Sequence, residues 1–411
     1  MIKLPELLAP AGDWEKMETA FRYGADAVFL GGKEFGLRAG SGNFTIEELG
    51  KAVAYAHELN RKIYVTVNAF PNEYEFEDLQ GYLQKLEEVG VDAAIVADPG
   101  VFRICRRVAP KLPVHISTQA NVLNSEGVNL WADLGAERVI LAREATLEDI
   151  GSMSKECSVE IEAFVHGAMC WAYSGRCLLS AGLIGRSANQ GACAQVCRWE
   201  FSLLDESRPN QPIRVEQDDR GTYLMNSHDT CMIDHIPELV ESGLASLKIE
   251  GRMKTIHYLA TVVKTYREAL DSYGKDPDNY QVKSEWHVEL DKFSHRPYDT
   301  GFYFASPQKR DSNVDFTSTY IQTRDFVGIV LDWDESTGRV LVEQRNVIVA
   351  GDTLEILQPK GEVICFSAEM WDEEENVVPR APHPKQKLWI KSPQPLEKGS
   401  IVRKVVPNEQ E

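Results

Sequence analysis

Along the first 165 positions, short apolar runs alternate with longer stretches whose apolar residues recur every three or four places. The short runs are PELLAPAG, ADAVFLGG, KIYVTVN, DAAIVADP, PVHISTQAN, RVILAREAT and VEIEAFVHG. Each is nearly continuous in apolar residues, as a strand buried on both faces must be. Between them lie WEKMETAFRYG, TIEELGKAVAYAHELN, FEDLQGYLQKLEEVG, GVFRICRRVAP, SEGVNLWADLG and LEDIGSMSKE, all with helical spacing. Asp13 stands where it can cap the first helix, and Thr45 with Glu48 three residues on has the spacing of a capping box. Such regular alternation predicts a parallel sheet. An eighth unit, LASLKIEGR followed by TIHYLATVVKTYREALDSYG, comes much later. Eight units predict an α/β fold, a TIM-type (β/α)8 barrel over residues 1–272, with an open doubly wound sheet as the alternative. GTYLMNS competes with LASLKIE for the last place in the sheet.

The pattern breaks twice. A cysteine-rich insertion spans about 167–245 and includes RWEFSLLD and GTYLMNS as the arms of a hairpin joined by the polar ESRPNQPIRVEQDDRG. Residues 273–323 are polar and irregular and read as a linker or strap. From Phe326 the period changes to two in FVGIVLDW, RVLVEQRN, DTLEILQP, VICFSAEM and QKLWIKS, which predicts a small all-β, barrel-like domain over 324–411.

Charge and targeting narrow the class. Lys+Arg 44 against Asp+Glu 63 gives a net charge of −19, a field that repels nucleic acid, so any RNA contact needs a local basic patch. Two patches stand out, Arg103, Arg106, Arg107 and Lys111 in one, and Lys385, Lys387, Lys391, Lys398, Arg403 and Lys404 in the other. The N-terminal MIKLPELLAPAG lacks the long apolar core of a signal peptide, and no stretch approaches the ~18 apolar residues of a membrane span. The expectation is a cytoplasmic protein without a membrane span, in which thiols stay reduced and clustered cysteines indicate a metal or catalysis.

Chemistry concentrates in two places. In barrels of this type it sits where strands end, and the strand ends here carry Asn68, Asp98, Gln119, Asn121, Arg143, Glu144, His166, Lys248, Glu250 and Arg252. Of these, His166, Arg143, Lys248, Glu250 and Arg252 are the candidate catalytic residues. Five of eight cysteines, Cys170, Cys177, Cys193, Cys197 and Cys231, fall between 170 and 231. Only Cys193 and Cys197 are spaced like a zinc knuckle, whereas an iron–sulfur cluster tolerates long, uneven intervals. Asp229 and Thr230 are good N-cap residues before MIDHIPELVESG, which puts Cys231 in a first helical turn, where the dipole favours a thiolate. Cys105, Cys157 and Cys365 read as core residues.

The stretch from Glu162 through Cys170, then Gly175 to Ser180, resembles the signature of the peptidase U32 family, the collagenase-like group. The likeness continues through NQGACAQVCRW and NSHDTCMIDHIPELVESGLASLKIEGRMK and runs from PELLAPAG into the C-terminal β module. The resemblance implies a [4Fe–4S] cluster held by Cys170, Cys177, Cys193 and Cys231, with Cys197 a spare or substitute ligand. It further implies O2-independent hydroxylation, and the layout is most like the branch that makes 5-hydroxyuridine at the tRNA wobble position with prephenate as oxygen donor and co-substrate. Two carboxylates on that donor call for Arg143, Arg176, Arg186, Lys248 or Arg252. The implied partners are tRNA, this small dicarboxylate and a partner subunit of the same family. The alternatives are hydroxylation of ribosomal RNA or of a quinone, and a literal peptidase using zinc or another metal, for which the sequence offers neither HExxH nor GxSxG. Cys170 with His166 is the remaining pair that could serve as nucleophile and base.

Overall fold

The computed structural model describes residues 2–36, 42–170, 174–198, 217–218, 221–222, 228–305 and 320–405. Seven strands, β1 (Glu6–Pro10), β2 (Ala27–Gly31), β3 (Lys62–Val67), β4 (Ala93–Val96), β5 (Val114–Ile116), β6 (Arg138–Ile140) and β7 (Glu160–Ala168), pair in chain order. The strand Ser246–Ile249 lies parallel to both β7 and β1 and closes the ring. A closed, all-parallel barrel therefore replaces the doubly wound alternative, and LASLKIE takes the eighth place. The predicted hairpin arms RWEFSLLD and GTYLMNS lie almost wholly outside the described residues; within the insertion, Gln217–Asp218 pairs antiparallel with Gly221–Thr222.

The near-continuous apolar runs have a simple cause. Leu7, Val28, Leu30, Ile63, Val65, Ala94 and Val139 face the helices and join one core. Their neighbours Leu8, Phe29, Tyr64, Ile95 and Ile140 face inward and form a second, smaller core inside the barrel. The helices start as their caps dictate. Asp13 accepts from Lys16 N–H at the start of α1 (Trp14–Arg22), and Thr45 and Glu48 form the reciprocal box of α2 (Ile46–Glu58). Next come α3 (Phe76–Glu88), α4 (Pro99–Val108), α5 (Ser125–Asp133) and α6 (Leu147–Glu156), and the helix Ile256–Lys275 packs against β1 and α1.

Toward the strand starts the barrel interior is ionic rather than apolar. Arg138 Nη1 lies 2.7 Å from Glu6 and 2.9 Å from Glu162, and Lys248 Nζ lies 2.7 Å from Glu162. Tyr64 donates its hydroxyl to Glu6 at 2.7 Å. Burial pushes the Glu162 carboxyl up, but the Lys248 and Arg138 cations more than offset this and hold it below the usual range.

β7 overruns the barrel. The short strand Asp229–Cys231 runs antiparallel to its end, and Tyr298–Asp299 adds to that strand in turn. Residues after the barrel are more ordered than their polarity predicts: Ser284–Leu290 is a helix, and Trp286, Leu290, Phe293 and Tyr303 are buried against the barrel.

The C-terminal module is a seven-stranded antiparallel sheet beginning at Arg324–Asp334, with a core of its own built on Val330, Val342, Ile356 and Ile390. It is barrel-like, but its two edge strands do not pair with each other. It docks on α1 and the helix Ile256–Lys275. Tyr23 donates its hydroxyl to Leu357 O at 2.7 Å, and Lys264 Nζ donates to Gln358 O and Gly361 O, both at 2.8 Å.

Candidate active site at the barrel mouth

At the strand ends a cleft open to solvent is lined by Phe29, Thr66, Asn68, Ile95, Gln119, Ile140, Arg143, Phe164, Cys170, Lys248, Glu250 and Arg252. Its floor is apolar and aromatic, and its walls carry three cations, each held in place. Arg143, just beyond β6, pairs with Glu250 at 3.1 Å and lies over Phe164, its Cζ 4.0 Å from the ring centroid. Arg252 donates to Thr66 Oγ1 at 3.1 Å and to Asn43 Oδ1 at 2.6 Å. Lys248 sits over Phe29 at 4.4 Å, at the inner end of the cleft where the Glu162 network begins. Burial lowers its pKa, and Glu162 returns part of that loss. Fixed cations over an apolar floor suit an anion with a hydrocarbon body.

The cysteine-bearing segment lies across this mouth. Ser174 N–H donates to Glu144 at 3.2 Å, and Gly175, at φ +71°, sits so close to the Gln119 carbonyl that no Cβ would fit. Farther along, Phe70 N–H donates to Asn189 O at 3.2 Å, which ties the segment to the loop after β3. Asn189 in turn donates to Cys177 O at 3.3 Å. Cys193 Sγ accepts from Gln195 N–H at 3.4 Å, a contact of the kind that tunes cluster ligands. Cys197 lies in the 3₁₀ turn Val196–Arg198.

Several residues sit elsewhere than their sequence context predicts. His166 belongs to the strand end but not to the cleft. Between Phe164 and His166 the β7 register takes two steps while the closing strand takes one, from Lys248 to Ile249. This bulge turns His166 out of the barrel, into a cage of Tyr258, Tyr266, Phe293 and Tyr298 with centroids 5.3 to 6.4 Å away. Burial there lowers its pKa to about 3, which leaves it neutral. His166 therefore does not form a nucleophile–base pair with Cys170, which lines the cleft. Cys231 ends a strand rather than starting a helix, because Asp229 does not cap. Asp229 is buried and clasps Arg296 at 2.6 and 3.0 Å, and a 3₁₀ turn at Ile233–His235 leads into the α-helix Ile236–Glu241. Burial pushes the Cys231 thiol up to about 12, and hydrogen bonds from the Ile233 N–H and the Tyr266 hydroxyl offset only part of that rise. It shares a face with His166, and its Sγ lies 4.0 Å from Tyr266 Oη.

Of the remaining strand-end residues, Asp98 caps α4 through Val101 N–H at 3.0 Å, and Arg176 and Arg186 are exposed and do not line the cleft. Sequence reasoning passed over Phe29, Thr66 and Phe164, although their alternation with core residues in β2, β3 and β7 marks them as inward-facing, and over Asn43, whose role depends on a distant loop. The thiols of Cys170, Cys177, Cys193 and Cys231 supply the right donor chemistry for a cluster. Among the described residues, however, no three His, Cys, Asp or Glu side chains are grouped so as to hold a metal ion.

A closed parallel barrel with its polar side chains and a cysteine segment gathered at the strand ends defines a barrel enzyme framework. The chain belongs to peptidase family U32: residues 12–313 match the family itself and 322–403 its C-terminal domain. It is 43% identical over 403 residues to "tRNA hydroxylation protein P1" of Bacillus subtilis, covering 98% of this chain and 95% of that one. It is 34% identical to "tRNA hydroxylation protein P" of Escherichia coli, covering 96% and 95%. It is also 31% identical to an Escherichia coli 23S rRNA 5-hydroxycytidine synthase, covering 88% of this chain and 54% of that one. No helix among the described residues is long and apolar enough to cross a membrane.

Proposed function

We propose that the protein is an RNA hydroxylase acting without O2, and that its product is 5-hydroxyuridine at the tRNA wobble position. The observation that carries this reading is a likeness that runs through barrel and C-terminal module alike to a relative named for tRNA hydroxylation. In this reading Cys170, Cys177, Cys193 and Cys231 would hold a [4Fe–4S] cluster, with Cys197 in reserve. The cluster, when bound, supplies redox or Lewis-acid chemistry at the mouth. Prephenate is the proposed oxygen donor. Its carboxylates would meet Arg143 and Arg252, and its ring would lie against Phe29 and Phe164. Lys248 would add a third positive charge at the floor, and Glu250 would keep Arg143 in place. Cytidine in ribosomal RNA is the second reading, supported by the 31% identity to the rRNA enzyme.

The first test is iron and acid-labile sulfide in protein purified without oxygen. Cys177→Ala and Cys231→Ala should each abolish both, and Cys105→Ala should leave them unchanged. A colourless wild-type protein that takes one zinc would refute the cluster. The second test is mass analysis of RNA nucleosides from cells with and without the gene, both supplied with donor carrying a heavy-oxygen label, and cells without the gene should lose the modification. The label should enter 5-hydroxyuridine in tRNA. Its appearance in ribosomal cytidine would move the substrate to ribosomal RNA.

A further inference from the structure

The lysine-rich stretch near the C-terminus divides in the folded chain. Arg403 is buried between Glu355 and Glu289, and Lys404 is held by Asp352 at 3.0 Å. Lys385, Lys387 and Lys391 stay exposed, and no ion pair holds them among the described residues. Lys387 and Lys391 flank Trp389 on the strand Lys387–Lys391, so alternation puts all three on one face. The register carries that face sideways: Leu341 pairs with Trp389, Trp389 with Trp371, and Arg339 with Lys391. The alternate residues Val340, Val342, Leu388, Ile390 and Met370 build the module core, while Leu341, Trp389 and Trp371 stay outside it, half-buried. Arg339 lies over Trp371, 3.9 Å from the ring centroid.

The carboxylates nearby are mostly engaged. Glu343, opposite Lys387, pairs with Arg345 at 2.7 Å, and Glu375 pairs with Arg339. Glu369, exposed beside Lys391, accepts from its N–H through the main-chain carbonyl. Trp389 is half-exposed, Trp371 shares its face with Arg339, and the lysines beside them, held by no ion pair among the described residues, make this a poor protein interface, where lysine is depleted. The rings and cations match a strand of unpaired nucleotides, whose bases stack on aromatic rings while phosphates take the cations. In a chain of net charge −19 such unpaired cations are needed for any RNA to settle.

We propose that this face of the C-terminal module binds a single-stranded RNA segment, with bases against Trp389 and Trp371 and phosphates on Lys385, Lys387 and Lys391. The inference rests on RNA being the substrate. It is tested by fluorescence anisotropy of full-length protein with a labelled unmodified tRNA transcript. Trp389→Ala and Trp371→Ala should each weaken binding about tenfold, and Trp389→Phe should restore most of the loss, because stacking needs only an aromatic ring. Lys387→Ala with Lys391→Ala should lower the slope of log affinity against log salt by about 1.5. Melting temperatures should stay close to wild type, since these side chains lie outside the core. If wild type binds and the variants bind equally well, this surface is refuted and the hydroxylation reading stands. If wild type binds no RNA, both fall. A wild-type dimer in sedimentation that Trp389→Ala splits would assign the face to a second copy of the chain and overturn the proposal.

Discussion

At the scale of single residues the cleft depends on close approaches that leave no room for error. Arg252 reaches Thr66 and Asn43 because Gly31 has no side chain: a Cβ there would overlap the guanidinium and come within 3.0 Å of Asn43 Oδ1. Gly31→Ala should therefore displace Arg252 while leaving β2 paired. The expected result is a rise of about tenfold in KM for the proposed anionic donor, from one weakened charge-assisted contact, and a fall of a few degrees in Tm. Steady-state kinetics and a melting curve check both, and an unchanged KM would remove Arg252 from the donor site. The same scale shows where sequence reading stops. Arg143, Lys248, Glu250 and Arg252 are legible as strand-end residues, and all four reach the cleft. His166 has the same context and goes the other way, because alternation assumes an unbroken ladder and the shift at Val165 inverts it. Nothing in VEIEAFVHG announces that shift, since Val165 is apolar and buried like its neighbours.

At the scale of elements the barrel is legible because most of its strands are short, doubly buried and followed by a helix with a side-chain cap, so local and global preferences agree. The Asp229–Cys231 strand is not legible, because its helix-start chemistry is genuine but its capping carboxylate is taken by Arg296, 67 residues away in sequence. The ionic interior is equally hidden: Arg138 looks like a strand-start charge that would face solvent. In the fold it is buried and bonded to Glu6, Glu160 and Glu162. Removing one member of such a network leaves its partners buried and uncompensated. Arg138→Met should cost on the order of 3–5 kcal/mol by urea unfolding. Lys248 would remain to balance Glu162, so the barrel should still close, with circular dichroism unchanged in dilute buffer. A cost below about 1 kcal/mol, the level of an exposed pair, would show that water reaches these groups.

At the scale of the whole molecule the question is what makes barrel and module one body. The module was visible in the sequence as a change of period, and its strands follow from that alternation. Its attachment was not visible, because the residues responsible are far apart in the chain and look like ordinary surface charges. Glu355 is their centre. Its carboxylate meets Lys292 at 2.9 Å, Arg324 at 3.0 Å and Arg403 at 2.5 Å, and both Lys292 and Arg403 also reach Glu289. Lys292 belongs to the strap after the barrel, so the cluster pins strap to module. Burial raises the Glu355 pKa, but Arg403, Lys292 and Arg324 more than offset this and bring it to about 2. A carboxylate with a depressed folded pKa adds stability that is fully present above its unfolded value near 4.5 and is lost as pH falls toward 2. Melting temperature should therefore hold above about pH 5 and drop steeply between 4.5 and 2, through the loss of roughly 3 kcal/mol. Glu355→Gln should show much of that deficit already at pH 7, because three cations then share a neutral amide, and its profile should be flatter below pH 4.5. Limited proteolysis gives the spatial readout: in the variant, an intact C-terminal module should be released faster than in wild type. Parallel pH profiles for the two proteins would mean that the module is held by its apolar and main-chain contacts to Tyr23 and Lys264, with the charges as bystanders.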